Sequence, residues 1–201
     1  MTFTLFGCRV TVPFLLLAAV TALLFCDRSG LFFAALVSAA VHEGAHLASL
    51  RAFGGVPRRI RLTPFGIDIV LRKPGARSYL RDAAVSLAGP FANLAEYVLF
   101  SCVKNPALSN LTLAAFALFL FNILPISPLD GGQALEALLC LRLAPQKAER
   151  IMAFLSFAVL LPLAVFSFLV LLHSPGDFSL FLVCCYLMAL LLLKKDSFST
   201  G

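Results

Sequence analysis

His42, Glu43 and His46 are the residues of this chain whose types and spacing most clearly offer chemistry. Two histidines four residues apart lie one turn above each other on one face of an α-helix. Both imidazoles can then reach a single Zn²⁺. Glu43, next to the first of them, can take a proton from a water that the metal polarises. The pattern is short, so its setting matters. From Leu31 to Leu50 the chain is almost wholly apolar apart from this cluster. Ionisable groups inside a membrane span are costly and read as functional. The bland alternative is a pair of buried histidines satisfied by backbone carbonyls, with Glu43 as their partner.

A hydrolytic zinc site usually has three protein ligands and a water. Counting apolar runs puts the remaining histidine, His173, at the opposite membrane face. The acidic candidates are Glu96, Asp130 and Glu136. Asp130 is the best placed, beside a break that Pro125 and Pro128 force at the end of an apolar run. Asp130-Gly131-Gly132-Gln133 also has the chemistry of a helix N-cap with its capping-box partner. On the residues alone, cap and ligand stand nearly even, and one carboxylate can serve as both. Asn122, at the end of the same run, can hold substrate backbone or an oxyanion. It can equally satisfy carbonyls freed by Pro125. Asn93 reads as a hydrogen-bonding residue between helices, and Gly89 and Pro90 as packing and kink residues.

These groups must be positioned by membrane helices. The 201 residues are 61% hydrophobic and 13% charged, against about a quarter charged in soluble domains. The mean hydropathy is +0.97. The expected fold is an all-α polytopic membrane protein, one membrane-embedded domain over 1–201. About six spans are expected, with a catalytic core of three helices at about 31–142. Peripheral spans are expected at about 4–26, 151–172 and 178–193, and a short helix over Gln133 to Leu143. Between spans two and three, Ile60, Leu62, Ile67, Ile69 and Leu71 alternate with Arg61, Asp68 and Val70 around Thr63-Pro64-Phe65-Gly66. That pattern predicts a short β-hairpin. Ile67 and Ile69 are its candidate substrate-pairing positions, since a strand edge is a simple template for an unwound peptide. The first apolar run has no small-x-small cleavage site after it and reads as a retained span.

Of the sixteen lysines and arginines, only Arg28 and Lys104 fall in outer loops if the N-terminus is cytoplasmic. The positive-inside rule then places both termini, and the mouth of the site, on the cytoplasmic side. The net charge of +6 is therefore read as topology and anionic lipid, with no nucleic-acid partner. The six cysteines show no CxxC spacing and suggest neither a disulfide framework nor a metal site.

Three segments together resemble a known family. They are His42-Glu43-Gly44-Ala45-His46, then Ala88-Gly89-Pro90-Phe91-Ala92-Asn93, then Asn122 to Gly132 with its Pro128-Leu129-Asp130-Gly131-Gly132. In this order they are similar to the site-2 protease family of intramembrane zinc metalloproteases, over roughly Leu31 to Leu141. The resemblance implies one Zn²⁺ per chain, with Asp130 as its third protein ligand. It implies a membrane protein or membrane-associated protein as substrate, and inhibitory or regulatory membrane proteins as candidate partners. Ser127 stands where the family often has Asn. No segment is long enough for a PDZ or CBS domain. Six spans and small size look most like the sporulation branch, which cleaves a membrane-associated sigma-factor precursor in a bacterial cytoplasmic membrane. Two rivals carry the same residues: a metal transporter, and an inactive membrane scaffold. The outer halves of the spans are nearly free of ligands, which disfavours transport. An intact Glu43 and Asp130 disfavour the scaffold.

Overall fold

The computed structural model describes residues 2–5, 8–11, 13–55, 57–63, 66–71, 78–103, 105–173 and 179–196. They fall into two compact units, Met1–Leu120 and Phe121–Gly201.

The first unit opens with two strands, β1 (Thr2–Leu5) and β2 (Cys8–Thr11), paired antiparallel. This corrects the expectation of an apolar span reaching back to residue 4. The cause is local. Thr2, Thr4, Val10 and Thr11 are β-branched and favour extended backbone. Pro13, extended at φ −62° and ψ 136°, stands immediately before helix α1 (Phe14–Cys26). The next helix, α2 (Leu31–Ala52), carries the histidine pair. Its start is held by Asp27. One carboxylate oxygen accepts from the Ser29 hydroxyl and from the N–H groups of Ser29 and Gly30. The other accepts from the N–H groups of Phe32 and Phe33. Burial pushes the Asp27 carboxyl up, but these hydrogen bonds outweigh it and hold it below its usual 3.8. A depressed carboxylate contributes stability above its unfolded value and loses it as pH falls through the folded one. Fraying of the α2 start is therefore expected to grow as pH falls below 3.8, read by amide hydrogen exchange at Phe32 and Phe33. The other end of α2 closes through Gly54, at φ 75°, where a side chain would be strained.

Beyond Gly55 come β3 (Pro57–Thr63) and β4 (Gly66–Leu71), antiparallel, with Ile60 opposite Ile69 and Leu62 opposite Ile67. β3 also pairs with β2 in parallel, giving the order β1-β2-β3-β4 with β4 at an edge. The turn residues Pro64 and Phe65 lie outside the described residues. Helix α3 (Tyr79–Val103) then packs along α2. A short 3₁₀ turn (Pro106–Leu108), capped by the Asn105 side chain, leads into helix α4 (Ser109–Asn122). Asn110 donates to the Ser29 carbonyl at 2.7 Å, tying the start of α4 to the α1–α2 turn.

The second unit contains helices α5 (Asp130–Leu139), α6 (Pro145–His173) and α7 (Ser179–Asp196). Its apolar core joins Ile126 and Leu129 to Leu160 of α6 and Leu187 of α7. The expected helix over Gln133 to Leu143 is corrected: α5 begins at Asp130 and ends at Leu139.

Helices account for most of the chain, and α2, α3 and α6 are long and apolar enough to cross a membrane. Crossing about 30 Å of hydrocarbon takes roughly 20 residues. With 13 and 14 residues, α1 and α4 do not reach that by themselves. Six crossings were expected; length and composition give three among the described residues. Large apolar side chains stand on the outer surfaces of the long helices, such as Phe33 on α2, Leu99 on α3 and Phe154 on α6. So much apolar surface would be a liability in water and is what lipid requires. The chain is an integral membrane protein.

Candidate metal centre

His42 and His46 project from one face of α2 and meet edge to face, with ring centroids 4.7 Å apart. Their Nε2 atoms are 3.1 Å apart. Both can therefore reach one ion at the usual Zn–N distance of about 2.0–2.1 Å. The His46 ring is oriented from behind. Its Nδ1 is 2.7 Å from the Val85 carbonyl oxygen of α3, and since a carbonyl only accepts, Nδ1 carries the proton. In the neutral ring the lone pair is then on Nε2, the arrangement a metal-binding imidazole needs. Glu43 is half-buried and lies about 100° around the helix from His42.

Gly89 shows why this position of α3 has no side chain. A Cβ there would lie 2.3 Å from His46 Nε2 and 2.7 Å from His42 Nε2. The space beside both donor atoms exists because Gly89 leaves it open. A metal fits the pair on three counts: converging nitrogens, a fixed tautomer and an unfilled cradle. Pro90, next along, is buried inside α3. Having no N–H, it leaves the Ser86 carbonyl without its helical partner. Asn93 is fully buried on the same helix. Glu96, weighed as a zinc ligand, accepts a hydrogen bond from Ser38 of α2 at 3.0 Å.

In the second unit, Asn122 ends α4 and Asp130 begins α5, with Pro125 and Pro128 in the irregular segment between them. The helix N-cap is Leu129, which is extended, and no side chain caps it. Asp130 is thus the first helical residue, which corrects the capping-box alternative. Gln133 reaches the Pro128 carbonyl instead, at 3.5 Å. An acidic residue in the first turn still suits the helix dipole. Two glycines make this start possible. A Cβ on Gly131 would lie 2.3 Å from the Ile123 carbonyl oxygen, and one on Gly132 would lie 2.1 Å from that of Ile126. The segment is anchored by Ser156 of α6, whose hydroxyl accepts the Ser127 N–H at 2.8 Å and donates to the Met152 carbonyl. Ser156→Ala is expected to cost about 1 kcal/mol of stability, read by thermal unfolding in detergent.

Sequence reasoning missed the Val85 carbonyl, Ser156 and the need for Gly131 and Gly132. Adjacent glycines opening a helix were a signal of close backbone approach. A carbonyl partner leaves no mark in residue type.

The model of peptidase family M50 matches residues 105–163. Stage IV sporulation protein FB of Bacillus subtilis (strain 168) is 32% identical over 147 residues, covering 69% of this chain and 50% of that protein. A zinc metalloprotease of Methanocaldococcus jannaschii is 27% identical over 148 residues, covering 69% of this chain and 43% of that protein. The chain thus matches about half the length of these relatives or less. The solved structure of a site-2 protease from Methanocaldococcus jannaschii shares the fold, with a TM-score of 0.65 at 23% identity, covering 93% of this chain and 91% of that one.

Proposed function

We propose that the chain is an intramembrane zinc metalloprotease of peptidase family M50, the site-2 protease family, that hydrolyses a peptide bond in or near a membrane segment of a protein substrate; the family match over residues 105–163 and the 32% identity to stage IV sporulation protein FB support this reading. The observation that carries this reading is the His42–His46 pair, with converging Nε2 atoms inside an apolar helix and Gly89 clearing the space beside them. We assign zinc, one ion per chain, to His42, His46 and Asp130, two imidazoles and a carboxylate of a kind that could hold a metal ion. When bound, zinc supplies a Lewis acid that acidifies water and polarises the scissile carbonyl.

The remaining work falls to side chains. Glu43 takes the proton from the attacking water and returns it to the leaving amine. Asn122 donates to substrate backbone or to the developing oxyanion. Gly89, Pro90, Pro125 and Pro128 shape the helix seam and the break that admit these groups. One edge of the β3–β4 pair, at Ile67 and Ile69, binds the unwound substrate by backbone pairing. Proline at either position is expected to lower cleavage while zinc content stays unchanged, because the ladder loses an N–H. Unimpaired cleavage by both proline variants would remove this role from the hairpin.

The topology belongs to the same proposal. We take α1, α4 and α7 as three further, shorter crossings, with both termini and the site mouth cytoplasmic, on the basis of the lysine and arginine distribution. Similarity to a sporulation protein favours a bacterial membrane and a membrane-associated substrate, with a sigma-factor precursor as the specific case. The test is metal content after purification: one zinc per chain in the wild type, and strong loss in Asp130→Ala and His46→Ala. Full zinc occupancy in both variants would overturn the ligand assignment. Zinc binding without cleavage of any membrane substrate would favour a scaffold or a transporter.

A further inference from the structure

The seam between α2 and α3 holds polar groups that the proposed hydrolysis does not use. α3 runs antiparallel to α2: Val85 meets His46, Gly89 meets both histidines, and Glu96 meets Ser38. Ser38 lies one turn before His42 on α2. Asn93 lies on α3 between Gly89 and Glu96, about one turn from each, and within about 60° of both around the helix. Asn93 is 0% exposed and Glu96 8%. Glu96 Oε1 accepts from the Ser38 hydroxyl. Among the described residues, its Oε2 and both Oδ1 and Nδ2 of Asn93 have no hydrogen-bond partner.

Three such atoms inside an apolar span are expensive. A polar atom taken out of water without a partner loses its hydration and gets nothing in return. Buried polar groups in native proteins are almost all satisfied, and ordered water serves where no protein group does. A buried water needs two to four polar partners. Asn93 Oδ1, Asn93 Nδ2 and Glu96 Oε2 supply both an N–H donor and oxygen acceptors on one helix face. Leucine at position 93 would leave no polar atom to satisfy there, whereas Glu96 also serves the buried Ser38 hydroxyl; the polar pair has the composition of a water site.

We propose that Asn93 and Glu96 bind ordered water inside the α2–α3 seam, and that this hydrated seam, closed by the Ser38–Glu96 hydrogen bond, positions the His42–His46 pair against Gly89. The bond limits how far the helices separate or slide one turn from His42, and the water limits how closely they collapse at Asn93. Val85 and Gly89, on the same helix, then keep their register with the two rings. Glu96 and Asn93 are positioning residues. The second clause rests on the zinc reading; the first does not.

The experiment has two arms, both on the full chain in lipid nanodiscs. The first is an experimental structure at a resolution that shows solvent. Water is expected within about 3.2 Å of Asn93 and of Glu96 Oε2, whether or not zinc is bound. A carboxamide and a carboxylate bonded only to protein, or no solvent density there when it is visible elsewhere, would overturn the hydration site. The second arm is zinc affinity by competition with a chelator. Glu96→Gln keeps an acceptor for Ser38 and is expected to bind within about twofold of wild type, while Glu96→Leu and Asn93→Leu lose at least about tenfold, the usual effect of removing support behind a metal ligand. Wild-type affinity in both leucine variants would overturn the positioning role. Failure of all variants, wild type included, to bind zinc would overturn the metal reading and leave the water arm to stand alone.

Discussion

Glu43→Gln is expected to lower peptide hydrolysis by about 10²–10⁴-fold, the usual worth of a positioned general base. Zinc content is expected to stay at the wild-type level, because the substitution removes a proton acceptor and no ligand. Glutamine keeps the size and hydrogen-bonding capacity of the side chain, so packing on the half-buried face of α2 is little disturbed. The paired readout separates two roles that lie one residue apart. A variant lacking His42 should lose metal and activity together, whereas Glu43→Gln should lose activity alone. Cleavage of a co-expressed tagged membrane substrate by this variant at the wild-type rate would show that Glu43 is not the base.

Gly89→Ala carries the second large effect. One methyl group placed 2.3 Å from His46 Nε2 and 2.7 Å from His42 Nε2 occupies the space beside both donor atoms. Zinc affinity is expected to fall by at least about tenfold, and cleavage with it. The substitution is informative because alanine is the better helix former, by about 1 kcal/mol. A lost site cannot then be blamed on a loss of helix propensity in α3. Chelator competition alongside circular dichroism checks this: lower zinc affinity with the helical content retained. Unchanged affinity would mean that the two rings do not hold metal on the side that faces Gly89.

The histidine pair was legible in the sequence because helix periodicity by itself puts residues 42 and 46 on one face. Span boundaries were legible where glycine or proline punctuates the chain, as at Gly54 or Pro125. The opening strands were not. The stretch before Pro13 is apolar enough to pass for part of a span, but Thr4, Val10 and Thr11 are β-branched and favour an extended chain, a preference that hydropathy does not register. The start of α5 is hidden for a related reason. Asp-Gly-Gly-Gln looks like a cap followed by poor helix formers. Yet both glycines are helical, and they are glycines because the Ile123 and Ile126 carbonyls pass too close for any side chain. Contacts of this kind depend on which backbone lies alongside, and that is set by tertiary packing. Ser38 and Glu96 illustrate the same limit. Each is visible as a polar residue in an apolar run, but their hydrogen bond across 58 residues is not.

The most direct measurement of the central claim is the position of the cut. The purified chain, loaded with zinc and reconstituted with a membrane-associated substrate, is incubated and the products are sized by mass spectrometry. A single hydrolysed peptide bond is expected in or beside the apolar segment of the substrate, abolished by chelation, restored by Zn²⁺ and absent with Glu43→Gln. Products that persist equally with Glu43→Gln, or a metal-loaded wild type that leaves every such substrate intact, would contradict it.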